Sequence, residues 1–199
     1  MRGPSAATLV DQSRYPLEDL DAPAGRRLVS WCRAQLAESG ACELPGFLTP
    51  AAVGALAAEA DDLVPLAHRS RVEGTCYLDF PDETYADGHP RRVLGPNALR
   101  AVAYDLFPAD SGIRALYEWD GLRAFVAAAL DKATLYPYAD PLGALNLAVM
   151  EANDELAWHF DQTDFVVSLA LVPADQGGDF EYAPRLRGAD DERYDDVAA

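Results

Sequence analysis

Residues 145–184 read LNLAVMEANDELAWHFDQTDFVVSLALVPADQGGDFEYAP, and their pattern decides the fold class. Short apolar runs alternate with turn residues, so strands are expected at Leu145–Met150, Phe165–Val172 and Gly178–Tyr182. In the middle run Phe165, Val167, Leu169 and Leu171 take one face. Val166, Ser168, Ala170 and Val172 take the other. Both faces are mostly apolar, as in a strand covered on both sides. Between the first two runs lies Trp158-His159-Phe160-Asp161-Gln162-Thr163-Asp164. Extended backbone puts alternate side chains on one face, so His159 and Asp161 point together and Phe160 points away. One imidazole and one carboxylate on one side can take two adjacent positions on a metal. A third ligand from a distant strand would complete a 2-His-1-carboxylate triad. A surface His–Asp pair is the plainer reading of the same spacing. Asp164 is a competing carboxylate, out of phase with His159.

Upstream the periodicity changes. Residues 1–22 read as a loose arm. Residues 23–135 read as a helical part interrupted by an irregular loop, 66–96. Residues 136–187 carry the β-structure, and 188–199 form an acidic tail. Leu28, Trp31, Cys32 and Leu36 recur at helical spacing, and Gly40 is a natural stop. Thr49-Pro50 reads as a helix cap and first turn, opening an Ala-rich helix that ends near Pro65. Tyr77–Phe80 is expected as a short strand, and Asn97–Phe107 as a helix. Ser111 and Asp120 are expected to cap two more, the second over Gly121–Leu130. Helices first and strands second make the class α+β.

The 145–184 run resembles the iron(II)/2-oxoglutarate-dependent oxygenase superfamily, whose metal motif is His-x-Asp followed later by a second His. GACELPGFLTPAAVGALAAEA (40–60) is similar to the strand-then-helix opening of such enzymes. DGHPRR (87–92), YEWDGLRAFVAAAL (117–130) and YADPLGALN (138–146) resemble the prolyl-hydroxylase-like subgroup of free-amino-acid hydroxylases and iron halogenases. The resemblance spans about residues 40–197. It implies N-terminal helices followed by a double-stranded β-helix, or jelly roll, of which about the first half is present. It implies Fe(II) held by His159 and Asp161, with 2-oxoglutarate and O₂ as cosubstrates. Related halogenases carry a small residue at the Asp position, so Asp161 implies a hydroxylase. The substrate would be a small polar molecule such as a free amino acid.

The same resemblance suggests that Asn146 binds 2-oxoglutarate, although a satisfied inner polar residue fits as well. It places Asp164, His89 and Arg91 at the substrate. His89 reads more simply as an exposed loop histidine, and Arg91 and Arg92 as surface charges with a conceivable carboxylate-binding role. The family also needs a second His and then an Arg or Lys. The histidines are His68, His89 and His159, and none follows 159. Arg185, Arg187 and Arg193 come too early. A C-terminally truncated chain is therefore expected, or else His68 or His89 is the third ligand. The alternative function is a non-catalytic remnant or binding module. A cupin-like metal protein is disfavoured because no His-x-His motif occurs.

A formal net charge of −17 repels phosphate backbones and disfavours nucleic-acid partners. No apolar run reaches the roughly 18 residues of a membrane span, and no secretory signal is read at the start. Cys32, Cys42 and Cys76 are odd in number and lack CxxC spacing, so thiols in a reducing cytoplasm are expected. The sequence leaves the oligomeric state open.

Overall fold

Local capping chemistry sets where the helices begin and end. The structure is a computed structural model that describes residues 5–188 and 190–198. It contains α1 (Ala6–Leu9), α2 (Pro23–Ser39), α3 (Pro50–Leu63), α4 (Gly112–Glu118), α5 (Asp120–Ala129) and α6 (Tyr194–Ala198). Its strands are β1 (His68–Gly74), β2 (Gly95–Ala103) and β3 (Asn146–Val149). Thr49 Oγ1 accepts from the Ala52 N–H at 3.2 Å, and Pro50 takes a first-turn position where no N–H is needed. Ser111 Oγ accepts from the Arg114 N–H at 2.9 Å and starts α4 in the same way. Gly40 ends α2 at φ 80°, a left-handed conformation that glycine adopts without a Cβ clash.

The chain divides into two compact units, Met1–Leu66 with Val102–Leu147, and Ala67–Ala101 with Ala148–Ala199. The first unit holds the apolar core. Leu9, Val10, Leu17, Cys32, Leu56, Leu63, Val102, Phe107, Leu116 and Phe125 are all buried there. The Glu59 carboxylate accepts from the Ser111 hydroxyl and from the Gly112 N–H at 2.8 Å, which ties α3 to the start of α4. Burial pushes the Cys32 thiol up to about 12, with a hydrogen bond to Cys42 adding to the shift.

The second unit is built around the sheet, in the order β1-β2-β3. β1 and β2 are antiparallel, with His68 opposite Ala101 and Gly74 opposite Gly95. A further antiparallel bridge joins Asn97 to Leu156. Little apolar surface is buried here: Ala98 is buried, with Thr75 and Pro90. Ion pairs also link its segments. Arg69 grips Asp154 through two N–H···O bonds of 2.6 and 2.5 Å, and Arg100 reaches Glu151 at 3.1 Å.

The α+β class is observed, as helices with a small three-stranded antiparallel sheet. Several elements differ from expectation. Asn97–Phe107, expected as a helix, is mostly strand β2. Its buried residues Ala98 and Val102 are four apart, a spacing that fits one face of either a helix or a strand. Pairing with β1 decided between them. The expected loop 66–96 contains β1. Tyr77–Phe80 is a turn, with Leu78 at φ 58° and its N–H bonded to Thr75 O at 2.8 Å. Phe165–Val172 and Gly178–Tyr182 are not strands, because no strand lies beside them to supply ladder hydrogen bonds among the described residues. Within the expected arm, Ala6, Leu9, Val10, Tyr15 and Leu17 are packed into the core, and Tyr15 donates to Pro45 O at 2.8 Å. Residues 1–4 of that arm, and Ala189 and Ala199 of the expected tail, lie outside the described residues. Asp195 and Asp196 of the tail fall in α6.

Candidate functional site

The His159–Asp161 segment is held by one backbone hydrogen bond before it and one within it. Ala157 N–H donates to Pro96 O at 2.9 Å, and Phe160 N–H donates to Cys76 O at 2.7 Å. Ala98 N–H donates to Glu155 O at 2.8 Å, which sets the approach of the chain. Gly95 allows that approach: a Cβ there would sit 2.5 Å from Ala157 Cβ. The turn before it, Glu151–Asp154, is closed by Asp154, whose carboxylate accepts from the Glu151 N–H at 2.8 Å.

His159 Nδ1 lies 2.7 Å from Ala157 O. A carbonyl only accepts, so Nδ1 carries a proton, and in the neutral ring Nε2 would present its lone pair. Nε2 stands 3.6 Å from Asp161 Oδ1. Two donors at right angles on a metal, each about 2.1 Å away, would be about 3.0 Å apart. The observed separation is therefore a little open for a cis pair and needs only a side-chain adjustment to close. A backbone carbonyl that fixes the other ring nitrogen is the usual support of a metal-binding histidine. The geometry is compatible with the two residues supplying two of the three protein ligands of such a set. No group of three His, Cys, Asp or Glu placed to hold a metal occurs among the described residues.

The other expected site residues lie apart from this pair or serve other contacts. His68 begins β1, opposite Ala101. His89 stacks on Tyr85 with ring centroids 4.0 Å apart, and its Nδ1 accepts from the Arg91 N–H at 3.2 Å. Arg91 donates from Nε to the Tyr194 hydroxyl at 2.9 Å and pairs with Glu192. Arg92 pairs with Asp87 at 3.0 Å. Asp164 is exposed on a bend, and Asn146 opens β3 in an exposed position.

Sequence reading missed a second cluster in this unit, made by Tyr77, Phe160, Arg187, Glu192 and Tyr194 around Arg91. These residues come from three distant stretches of chain, near 77–91, at 160 and at 187–194, with no common spacing, so only their residue types could have hinted at it. In the first unit, Tyr104, Tyr117, Glu118, Asp120, Arg123 and Tyr138 line a cavity of about 380 Å³. Its acids are engaged: Glu118 accepts from Tyr104 and Arg114, and Asp120 pairs with Arg123. No helix among the described residues is long and apolar enough to cross a membrane. Compared with known proteins, the chain matches no family model and no curated protein sequence.

Proposed function

We propose that the chain carries two of the three protein ligands of an iron(II)/2-oxoglutarate-dependent oxygenase of hydroxylase type, acting on a small polar substrate such as a free amino acid. The reading is supported by the resemblance of residues 145–184 and carried by one observation. His159 Nε2, its tautomer set by Ala157 O, faces Asp161 Oδ1 across 3.6 Å. Iron with 2-oxoglutarate and O₂ would supply the oxidising chemistry. The protein's part is to present a neutral imidazole and an anionic oxygen on one side of a pinned segment. The jelly roll belongs to this proposal. Asp164, Arg91 and His89 are proposed substrate contacts, the last two after release of their present partners. A second reading, a module that holds a metal without turnover, is favoured by the two-donor set.

The test is Mn(II) or Fe(II) binding by the chain and by His159→Ala and Asp161→Ala. Two protein ligands compete poorly with water, so the unsubstituted chain should bind weakly. Each substitution should weaken it further, by more than about tenfold. Equal affinity in all three chains would overturn the ligand assignment. Succinate released with consumption of 2-oxoglutarate supports the oxygenase. Metal bound without succinate supports the binding module.

A further inference from the structure

Arg91 and Arg187 converge on one carboxylate. Arg91 Nη2 lies 3.3 Å from Glu192 Oε1, and Arg187 Nη1 lies 3.2 Å from Glu192 Oε2. Each guanidinium rests on an aromatic ring: Arg91 Cζ is 4.3 Å from the Tyr77 centroid, and Arg187 Cζ is 4.4 Å from that of Phe160. The two rings touch, with centroids 5.3 Å apart. Such stacking fixes the forks in place. Two guanidinia held around one point form a receptor for a planar anion, because each offers N–H donors in a rigid geometry.

Two further observations separate this cluster from an ordinary ion-pair network. The Tyr77 hydroxyl is buried and has no hydrogen-bond partner, alone among the buried side-chain polar atoms of the described residues. Leaving such a group unpaired is costly, and a closed structural network would avoid it. Burial, with Glu192 nearby, also raises this phenol to about 12, so it stays protonated and able to donate. The segment that brings Glu192 is held mainly through two side chains. Its helix α6 has no buried residue. Glu192 and Tyr194 tie it to residues 77–91, and the Tyr194 ring leans on Tyr77, Tyr85 and His89.

We propose that Arg91, Arg187 and the Tyr77 hydroxyl form a binding site for a small organic carboxylate with a neighbouring hydroxyl, and that the chain's own Glu192 fills it when ligand is absent. The ligand carboxylate replaces that of Glu192 between the two guanidinia. Its hydroxyl gives Tyr77 a partner, and the 191–198 segment is released. The site stands on its own geometry and needs no metal. Glu192, being tethered, acts as an internal competitor at an effective concentration on the order of millimolar. Weak ligands therefore show their affinity only once it is removed.

The experiment measures lactate binding by calorimetry in metal-free buffer, with neutral lactamide as control. The chains are the unsubstituted protein, Glu192→Gln, and Glu192→Gln combined with Arg187→Gln or Arg187→Lys. Circular dichroism establishes that each is folded. Glu192→Gln should bind lactate at least about tenfold more tightly than the unsubstituted chain. Adding Arg187→Gln should abolish that binding. Arg187→Lys, which keeps the charge but not the fork, should fall between them. Lactamide should not bind. Lactate binding no tighter in Glu192→Gln, or unaffected by Arg187→Gln, overturns the site. Because metal is absent throughout, neither outcome depends on His159 and Asp161.

Discussion

Asp154 shows how a single side chain positions the candidate metal ligands. Its side chain is 2 % exposed and accepts the Arg69 fork and the Glu151 N–H together. The hydrogen-bonded Arg69 guanidinium, then the Glu151 N–H, hold its carboxyl below the ordinary 3.8. A carboxyl depressed in this way stabilises the fold fully above its ordinary value. That contribution disappears as pH falls through the lower folded value. Asp154→Asn should therefore lower the urea midpoint at pH 7, and the difference between the two chains should shrink between pH 7 and pH 3. A midpoint difference that stays constant between those pH values would show that Asp154 acts through shape and not charge. At this scale the sequence was readable where one short segment made the geometry. The two-residue period of an extended chain puts His159 and Asp161 on one side, and their side chains do lie 3.6 Å apart, although the segment is not part of a strand. Arg187 meeting Arg91, and Tyr77 meeting Phe160, depend on loop paths that no local period encodes.

Elements repeat the lesson with packing added. The ends of α2, α3 and α4 were legible because Gly40, Thr49-Pro50 and Ser111 act on their own helix turns. β2 was not, since Ala98 and Val102 satisfy both periods and its partner β1 lay inside an apparent loop. The stretch 165–172 shows the converse: it has a strand's pattern but no partner strand among the described residues. Gly95 is where one element's chemistry controls another's position. Gly95→Ala would drive a methyl into Ala157, and relieving a 2.5 Å contact requires the 155–161 segment to shift. The cost should be about 1–3 kcal/mol, typical of overpacking. A metal affinity that depends on His159 and Asp161 should fall with it. Unfolding by denaturant measures the first effect and Mn(II) titration the second. An alanine at 95 that changes neither would mean that Ala157 does not rest against this backbone.

Across the whole molecule, apolar burial and apolar exposure are unevenly shared. The first unit keeps most of the core, whereas the second exposes Val166, Val167, Val172 and Phe180 at 57, 60, 66 and 84 %. Exposed strand-like segments with free backbone groups are templates for pairing with another chain. Each large apolar side chain left in water forgoes about 1.5–3 kcal/mol of burial, so association through residues 165–172 has a driving force. Opposing it is the net charge of −17, which makes copies repel. That repulsion reaches about 30 Å at 0.01 M salt and about 3 Å at 1 M, while burial persists. Salt should therefore promote association. Light scattering should rise between those two concentrations for the unsubstituted chain. It should rise much less for the Val166→Asn, Val167→Asn double variant, which leaves the charge unchanged and removes two methyl-rich side chains from the exposed segment. A chain whose scattering is indifferent to salt, or whose association survives both substitutions, would show that these residues are not the contact.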